Sequence, residues 1–280
     1  LPVEQLMPLE VRIVLGIMSA ICLVVVVGFT LFIVIYRNKK LIKAAQPRIL
    51  LFTLFGGLLG CFRVANAALD VTDTNCTSGA WLGHLAFVFV MTSLLAKLWR
   101  VSRVVRSGFK RVVVGESYII KAILVVVCLV CVYLVLFTAL GQPHAVRSIV
   151  YLAQQRTNIR YKCSMNHSQF ALALYVCECL SLVYAWYLCW ATKNVPDGIN
   201  EAKHIALSTY VIIFVCIIVF PMTLLLSLSP TMNQVIISTG FAIAICSCMA
   251  VLLGNKVLLV LEGADLNNNM RLVRPNSSIV

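Results

Sequence analysis

Charged residues are scarce in this 280-residue sequence: only 12% are Asp, Glu, Lys or Arg, and ten of these are acidic. Soluble globular chains carry roughly a quarter charged residues. A composition that is 61% hydrophobic, with a mean hydropathy of +0.96, therefore excludes an ordinary soluble domain and indicates an integral membrane protein. The basic residues are scattered between apolar blocks, so the net charge of +13 does not predict a nucleic-acid partner.

Catalytic and metal-binding signatures are missing too. The sequence contains no HExxH, no GxSxG and no paired aspartates, so no enzyme activity is predicted. Histidine is scarce and no CxxC pair falls outside the apolar runs, which argues against a metal site; no cofactor is expected. The chain opens at Leu1 without a visible leader segment, and we expect it to be part of a longer protein.

Seven apolar runs are each long enough to cross about 30 Å of hydrocarbon, for which about 20 helical residues are needed. No internal repeat is visible among them, which argues against an inverted-repeat transporter. We predict an all-α membrane protein, a seven-transmembrane helix bundle over residues 1–256, followed by the start of a tail at 257–280. The spans are expected at about 11–36, 49–69, 81–101, 118–140, 170–191, 204–228 and 232–253. Pro221 should kink the sixth.

Lysine and arginine are concentrated on one side of this predicted bundle. The positive-inside rule therefore places the N-terminus outside and the C-terminus in the cytosol, and we expect a multi-pass protein of the plasma membrane. The predicted outer side carries Arg12, Arg147, Arg156, Arg160 and Lys162. The predicted inner side carries Arg37, Lys39, Lys40, Lys43, Arg48, Arg100, Arg103, Arg106, Lys110, Arg111, Lys193, Lys203, Lys256, Arg271 and Arg274.

Two cysteines, Cys76 and Cys163, fall in polar connecting segments, and both are on the predicted outer side. An oxidising compartment lets such a pair form a disulfide, which we expect here. The remaining cysteines lie in apolar runs and are expected to be small buried hydrophobes. Asn166, in Asn-His-Ser, is the favoured glycosylation acceptor, because the Asn75 triplet overlaps the proposed bridge.

Three polar residues lie in the outer half of predicted spans: Arg63, His84 and Glu178. Charged groups at such depths normally face the bundle interior and pair. We expect Arg63 and Glu178 to face a shared cavity, lined also by Asn66 and His84, that admits a modulator or a lipid such as a phospholipid or sterol. The alternative is that Arg63 extends outward to the headgroups.

Lys97 lies near the inner boundary of the third span, and Glu201 lies just before the sixth. The two can pair across helices. From the residues alone, the favoured alternative is that Lys97 reaches the headgroups and that Glu201 is a solvated acid at a helix start.

Four strings carry a family resemblance: YRNKKLIK at residues 36–43 with Pro47, AKLWRV at 96–101, WATKNV at 190–195 and NEAK at 200–203. They resemble class C G protein-coupled receptors and, within them, the metabotropic GABA-B group, in register over about residues 13–208. The sequence departs from the family at the end of the seventh span, where Gly254-Asn255-Lys256 replaces the usual Pro-Lys pair. The family's large extracellular ligand-binding domain is not in this chain.

The resemblance implies that Lys97 and Glu201 form an ionic lock that holds the inactive state. It also implies a homo- or heterodimeric receptor whose basic inner loops face a heterotrimeric G protein, although such loops also bind anionic lipid. The expected G protein-facing residues are Arg37, Lys39, Lys40, Lys43, Arg103, Arg106, Lys110, Arg111, Lys193 and Lys203.

Other functions remain as alternatives. Within the family, the chain is either a coupling receptor or a non-coupling partner subunit of a receptor dimer. A transporter or channel is the alternative from another class, but it would need discontinuous helices or several midplane acids, and Glu178 alone is available. A retinal protein would need a lysine in the middle of the seventh span, where none occurs.

Overall fold

Seven long helices account for most of the chain in the computed structural model, which describes residues 3–4, 7–39, 42–43, 45–106, 115–151, 157–192, 200–225 and 229–261. Within these residues, seven helices are long and apolar enough to cross a membrane, so the predicted seven-helix membrane bundle is confirmed. The helices are α1 (Leu9–Tyr36), α2 (Pro47–Ala67), α3 (Asp73–Arg106), α4 (Glu116–Gly141), α5 (Ser168–Ala191), α6 (Asn200–Leu225) and α7 (Pro230–Leu261).

Local chemistry accounts for several helix ends. Pro8 precedes α1, whereas Pro47 and Pro230 open α2 and α7, a position where proline lacks only an N–H that a helix start leaves unpaired anyway. The chain turns at Gln46 and Gln142, whose φ angles of 57° and 46° place them in the left-handed region. The N–H of Gln142 donates to the carbonyl of Thr138 and so closes the end of α4.

Two helices extend beyond their predicted spans. With 34 residues, α3 is about 50 Å long at 1.5 Å per residue, so it projects past the hydrocarbon at its ends. Cys76 therefore lies in the first turn of α3, and the prediction that it belongs to a connecting segment is wrong. Helix α7 continues to Leu261, so Lys256 lies within the helix. Helix α6 contains Pro221 and is continuous on both sides of it.

The long connection between α4 and α5 folds into strands, although hydropathy predicts only a connecting segment there. A three-stranded sheet has the order β1-β3-β2, where β1 is Val3–Glu4, β2 is His144–Tyr151 and β3 is Thr157–Ser164. Strands β2 and β3 form an antiparallel hairpin in which Ala145 is opposite Cys163. Strand β1 lies parallel to β3, so the segment before α1 is joined to this hairpin.

Helix α2 packs most extensively against α3, and its glycines allow the close approach. A Cβ placed on Gly56 would lie 2.8 Å from Phe89 Cβ and 3.0 Å from the carbonyl oxygen of Ala86, both on α3. On the neighbouring face of α2, a Cβ on Gly57 would lie 2.8 Å from Met249 Cε of α7. Helices α6 and α7 also pack closely, whereas α4 and α5 make fewer contacts with each other.

Large apolar side chains cover the outer faces of the bundle, including Val24, Leu129, Leu180 and Phe214. Such an extensive exposed apolar surface fits contact with lipid hydrocarbon and not with water. The same outward faces carry the exposed thiols Cys128, Cys177 and Cys179, so the prediction that the cysteines of the apolar runs are buried is wrong for these three. Cys22, Cys61, Cys189 and Cys248 are buried as predicted.

Candidate functional site

The two ends of α3 carry different polar arrangements, and we name them the Cys76 end and the Lys97 end. Cys76 and Cys163 are joined by a disulfide with their Cα atoms 5.5 Å apart, which ties α3 to β3. Close to it, Asp73 Oδ1 accepts a hydrogen bond of 2.7 Å from the backbone N–H of Ala145 on β2. The start of α3 is therefore held to both strands of the hairpin.

The Cys76 end contains further surface contacts. Arg12 of α1 forms an ion pair with Asp70 in the connection before α3. Asn166, the predicted glycosylation residue, is exposed between β3 and α5, and its Nδ2 donates to Gln142 Oε1 at 3.0 Å. An exposed asparagine in this position is accessible to a glycosylating enzyme if this end faces the lumen.

Below this end, His84 of α3 and Glu178 of α5 form a pair, with Nδ1 and Oε1 2.7 Å apart. With Glu178 ionised, the carboxylate only accepts, so Nδ1 must carry the hydrogen. Aromatic rings surround the imidazole: the Tyr175 centroid lies 5.6 Å away and the Phe137 centroid 6.3 Å away. Tyr175 in turn contacts Phe220 of α6 at 5.9 Å, so four helices meet at this depth.

The predicted pairing of Arg63 with Glu178 does not occur. Neither of the salt bridges that join described residues, Arg12–Asp70 and His84–Glu178, includes Arg63. Instead, Arg63 Nη2 donates to Gln234 Oε1 of α7 at 3.4 Å, and its side chain lies along Gly79 and Gly83 of α3. The alternative that Arg63 extends outward to the headgroups is not what the structure has either.

Asn66, the fourth residue of the predicted cavity, contacts the first turns of α3. Its Nδ2 donates to the carbonyl of Asn75 at 3.0 Å, and its Oδ1 accepts from Ser78 Oγ at 3.2 Å. The structure thus brings His84 and Glu178 together, but it connects Arg63 and Asn66 to other partners. Gln234 was not singled out from the sequence, although a run of polar residues at the start of α7 was a visible signal.

A separate open groove of about 760 Å³ follows one face of the first turns of α3. Its lining runs from Asp73 past Trp81 to Leu85 and includes none of the four residues predicted to line a cavity. Trp81 Nε1 donates to Thr138 Oγ1 of α4 at 2.8 Å, so the indole bridges α3 and α4 beside the groove. This groove is a surface feature of α3, distinct from the polar residues within the bundle.

At the opposite end, Lys97 points into the bundle. Its side chain is buried, with 6% of the residue exposed, and Nζ donates to the carbonyl of Ala45 at 3.0 Å. Ala45 belongs to the connection between α1 and α2, and Ile42 of the same connection is fully buried. The alternative that Lys97 reaches the headgroups is therefore wrong.

The proposed partner of Lys97 is only partly described. Glu201 lies in the first turn of α6, at the same end of the bundle, but its side chain is outside the described residues. Close by, Asn255 Nδ2 and His204 Nε2 lie 3.1 Å apart and join α7 to α6. Asn255 is part of the Gly254-Asn255-Lys256 string that departs from the family pattern, so a cross-helix contact occupies this position.

Several of the basic residues expected to face a G protein surround the Lys97 end. Arg37, Lys39, Lys43, Arg103 and Lys203 are exposed there. The predicted residues Lys40, Lys110, Arg111 and Lys193 lie outside the described part of the chain, and Arg106 is described only as the last residue of α3.

Comparisons with known proteins agree with the fold. A family model described as "7 transmembrane sweet-taste receptor of 3 GCPR" matches residues 8–255. The chain therefore belongs to the class C G protein-coupled receptor family, a family of signalling receptors and not of enzymes. The predicted resemblance to class C receptors is confirmed at this level.

Individual relatives include metabotropic glutamate receptor-like protein E of Dictyostelium discoideum, 24% identical over 90% of this chain and 30% of the relative. Metabotropic glutamate receptor-like protein O of the same organism is 29% identical over 89% of this chain and 32% of its own length. The metabotropic glycine receptor of Rattus norvegicus is 27% identical over 70% of this chain and 17% of its length. The chain thus spans less than a third of the length of these relatives.

Proposed function

We propose that this chain is the transmembrane domain of a GABA-B-like class C receptor that carries a signal across the plasma membrane to a heterotrimeric G protein. The observation that carries the proposal is the set of contacts along α3. At one end the disulfide ties α3 to β3, which pairs with β1 before the first span. At the other end Lys97 is buried against the first connection. A displacement of β1 and β3 would therefore be transmitted along one continuous helix.

The orientation follows from the same contacts and from the charges. A disulfide persists in an oxidising compartment, so the Cys76 end is proposed to face outward. The exposed basic residues at the Lys97 end then lie on the cytosolic side, where they attract an acidic surface of the G protein. Membership of class C also supports a dimeric receptor, either homodimeric or heterodimeric.

The inactive state is proposed to depend on a lock between Lys97 and Glu201. Lys97 is buried beside the first connection, and Glu201 lies in the first turn of α6 at the same end. In the proposed lock the Glu201 carboxylate joins the Ala45 carbonyl beside the Lys97 ammonium, and loss of one partner of a buried ion pair is strongly unfavourable. Outward movement of α6 would separate the charges and open the cytosolic face.

Nucleotide exchange tests the proposed function. The chain is reconstituted in lipid nanodiscs, mixed with each member of a panel of heterotrimeric G proteins, and compared with empty nanodiscs and with the Lys97→Ala variant. We expect faster GTPγS binding by at least one G protein. No acceleration by either protein on any member of the panel would contradict coupling and favour the non-coupling partner subunit.

A further inference from the structure

The side chain of Arg63, which belongs to α2, packs against two glycines on one face of α3. A Cβ on Gly83 would lie 3.7 Å from Arg63 Cδ and Nε, and one on Gly79 would lie 3.8 Å from Arg63 Cζ. These glycines are four residues apart and share one face of the helix. They leave room for the arginine side chain to lie along α3, and the residue as a whole is half-buried.

The guanidinium lacks an anionic partner among the residues that the structure describes. It has five N–H donors, and its hydrogen bond is a long one of 3.4 Å to the neutral amide of Gln234. The carboxylate on α5, Glu178, is already engaged by His84 at 2.7 Å. An arginine within a membrane span is unfavourable unless a counter-charge or water compensates it. The electrostatics of this position therefore favour an added anion.

Helix α7 provides an unused hydroxyl on the same side. Ser238 is fully buried, and its Oγ has no hydrogen-bond partner. Hydroxyls elsewhere in the spans, such as those of Thr53 and Thr209, donate to the carbonyl four residues earlier. Ser238 follows Gln234 by one turn, which places both on the face of α7 that meets Arg63. Two polar groups of α7 thus accompany the arginine.

An aromatic side chain of α5 lies near this group. It belongs to Tyr175, whose ring contacts both His84 and Phe220. Its phenol also interacts electrostatically with both Arg63 and Glu178.

We propose that Arg63, Gln234 and Ser238 form a subsite for an oxyanion, the carboxylate or phosphate of a ligand that enters the bundle from the Cys76 end. Arginine binds such groups through two parallel N–H donors, and the serine hydroxyl and glutamine amide supply further donors. The oxyanion comes either from the headgroup of an amphipathic lipid or from a small soluble molecule. The inference rests on the proposed receptor function only in that it treats the bundle as accessible to a ligand. Binding is measured without a G protein, so a failure of coupling does not affect this test.

Thermal stability of the purified chain in maltoside micelles, which carry no oxyanion, tests the subsite. Oleate represents a lipid carboxylate, inorganic phosphate represents a soluble oxyanion, and oleyl alcohol is the uncharged control. We expect a concentration-dependent rise in Tm with oleate, phosphate or both, and none with oleyl alcohol. Arg63→Gln should weaken the apparent affinity about 10- to 100-fold, as expected for a lost charge-assisted bidentate contact.

The choice of ligand separates a lipid headgroup from a soluble oxyanion, and the variants separate binding at Arg63 from non-specific effects of charge. A shift with oleate alone assigns the site to a lipid headgroup, and a shift with phosphate alone assigns it to a soluble oxyanion. Lys162→Gln, which removes an exposed charge at the same end, should leave the response unchanged. If Arg63→Gln does not fold, Arg63→Lys and Ser238→Ala should each reduce the response. Shifts that are absent, or equal in wild type and in these Arg63 and Ser238 variants, would overturn the proposal.

Discussion

His84 and Glu178 form a hydrogen-bonded pair between α3 and α5, with side chains that are only 10% and 18% exposed. The pair lies in the half of the bundle nearer to the disulfide, where the rings of Phe137 and Tyr175 flank the imidazole. A carboxylate in such surroundings is stable because a donor is fixed next to it. The pair therefore joins α5 to α3.

Replacement of His84 should destabilise the bundle through Glu178. His84→Phe keeps a ring among the neighbouring aromatics but leaves the carboxylate without its partner, and we expect a loss of about 3 kcal/mol. Glu178→Gln should have a smaller effect, because an amide still accepts a hydrogen bond. Thermal unfolding of the purified variants measures both.

The double variant His84→Phe/Glu178→Leu is the informative control for this pair. Removal of both partners leaves no unpaired charge, so its Tm should lie closer to that of the wild type than the Tm of His84→Phe does. A double variant that is less stable than His84→Phe would show that the pair is not what the single variant disrupts.

Close packing at the glycines of α2 makes a second prediction. Gly56→Ala should destabilise by about 1–3 kcal/mol, because its new methyl would meet Phe89 Cβ and the Ala86 carbonyl, which cannot move independently of α3. Gly57→Ala should be milder, since it meets the flexible end of Met249. Gly28→Ala, with nothing within 4 Å, is the matched control and should not destabilise. Equal Tm values for all three would contradict this packing.

Glycosylation tests the orientation of the bundle. Expression in a glycosylating eukaryotic cell should give a product whose gel mobility changes with PNGase F, and Asn166→Gln should abolish that change. Asn75 is a poorer acceptor because it adjoins the disulfide and its side chain donates to the Asp70 carbonyl at 2.6 Å. A glycan on Asn276 instead would place the Cys76 end in the cytosol and contradict the proposed orientation.

The depth of each polar residue could be predicted from the sequence, but its partner could not. Hydropathy locates the spans, and counting residues along them places Arg63, His84 and Glu178 at similar heights. Which residues meet also depends on how each helix is rotated about its axis. In the structure that rotation directs Arg63 toward Gln234 and leaves Glu178 to His84, so a pairing inferred from depth and charge alone was wrong.

Segments outside the hydrocarbon were predicted least well, because hydropathy carries no signal for them. The first turns of α3, from Asp73 to Ala80, are polar and were assigned to a connection although they are helical. The hairpin of β2 and β3 was also missed, since its strands lie in the one long connection and depend on pairing with each other and with β1. Alternating β-branched residues in these segments were a weak signal for strands.

The central claim, that a lock between Lys97 and Glu201 restrains signalling to a G protein, is tested most directly by a double-mutant cycle on basal GTPγS binding. Lys97→Ala and Glu201→Ala should each raise basal exchange about five-fold or more, as expected when a coupling of this size is lost. Their combination should add little further, and Lys121→Ala, an exposed lysine at the same end, should have no effect. The lock would be contradicted if the two substitutions raised the exchange rate independently, so that their effects multiplied in the double variant. It would also be contradicted if neither variant exchanged nucleotide faster than the wild type.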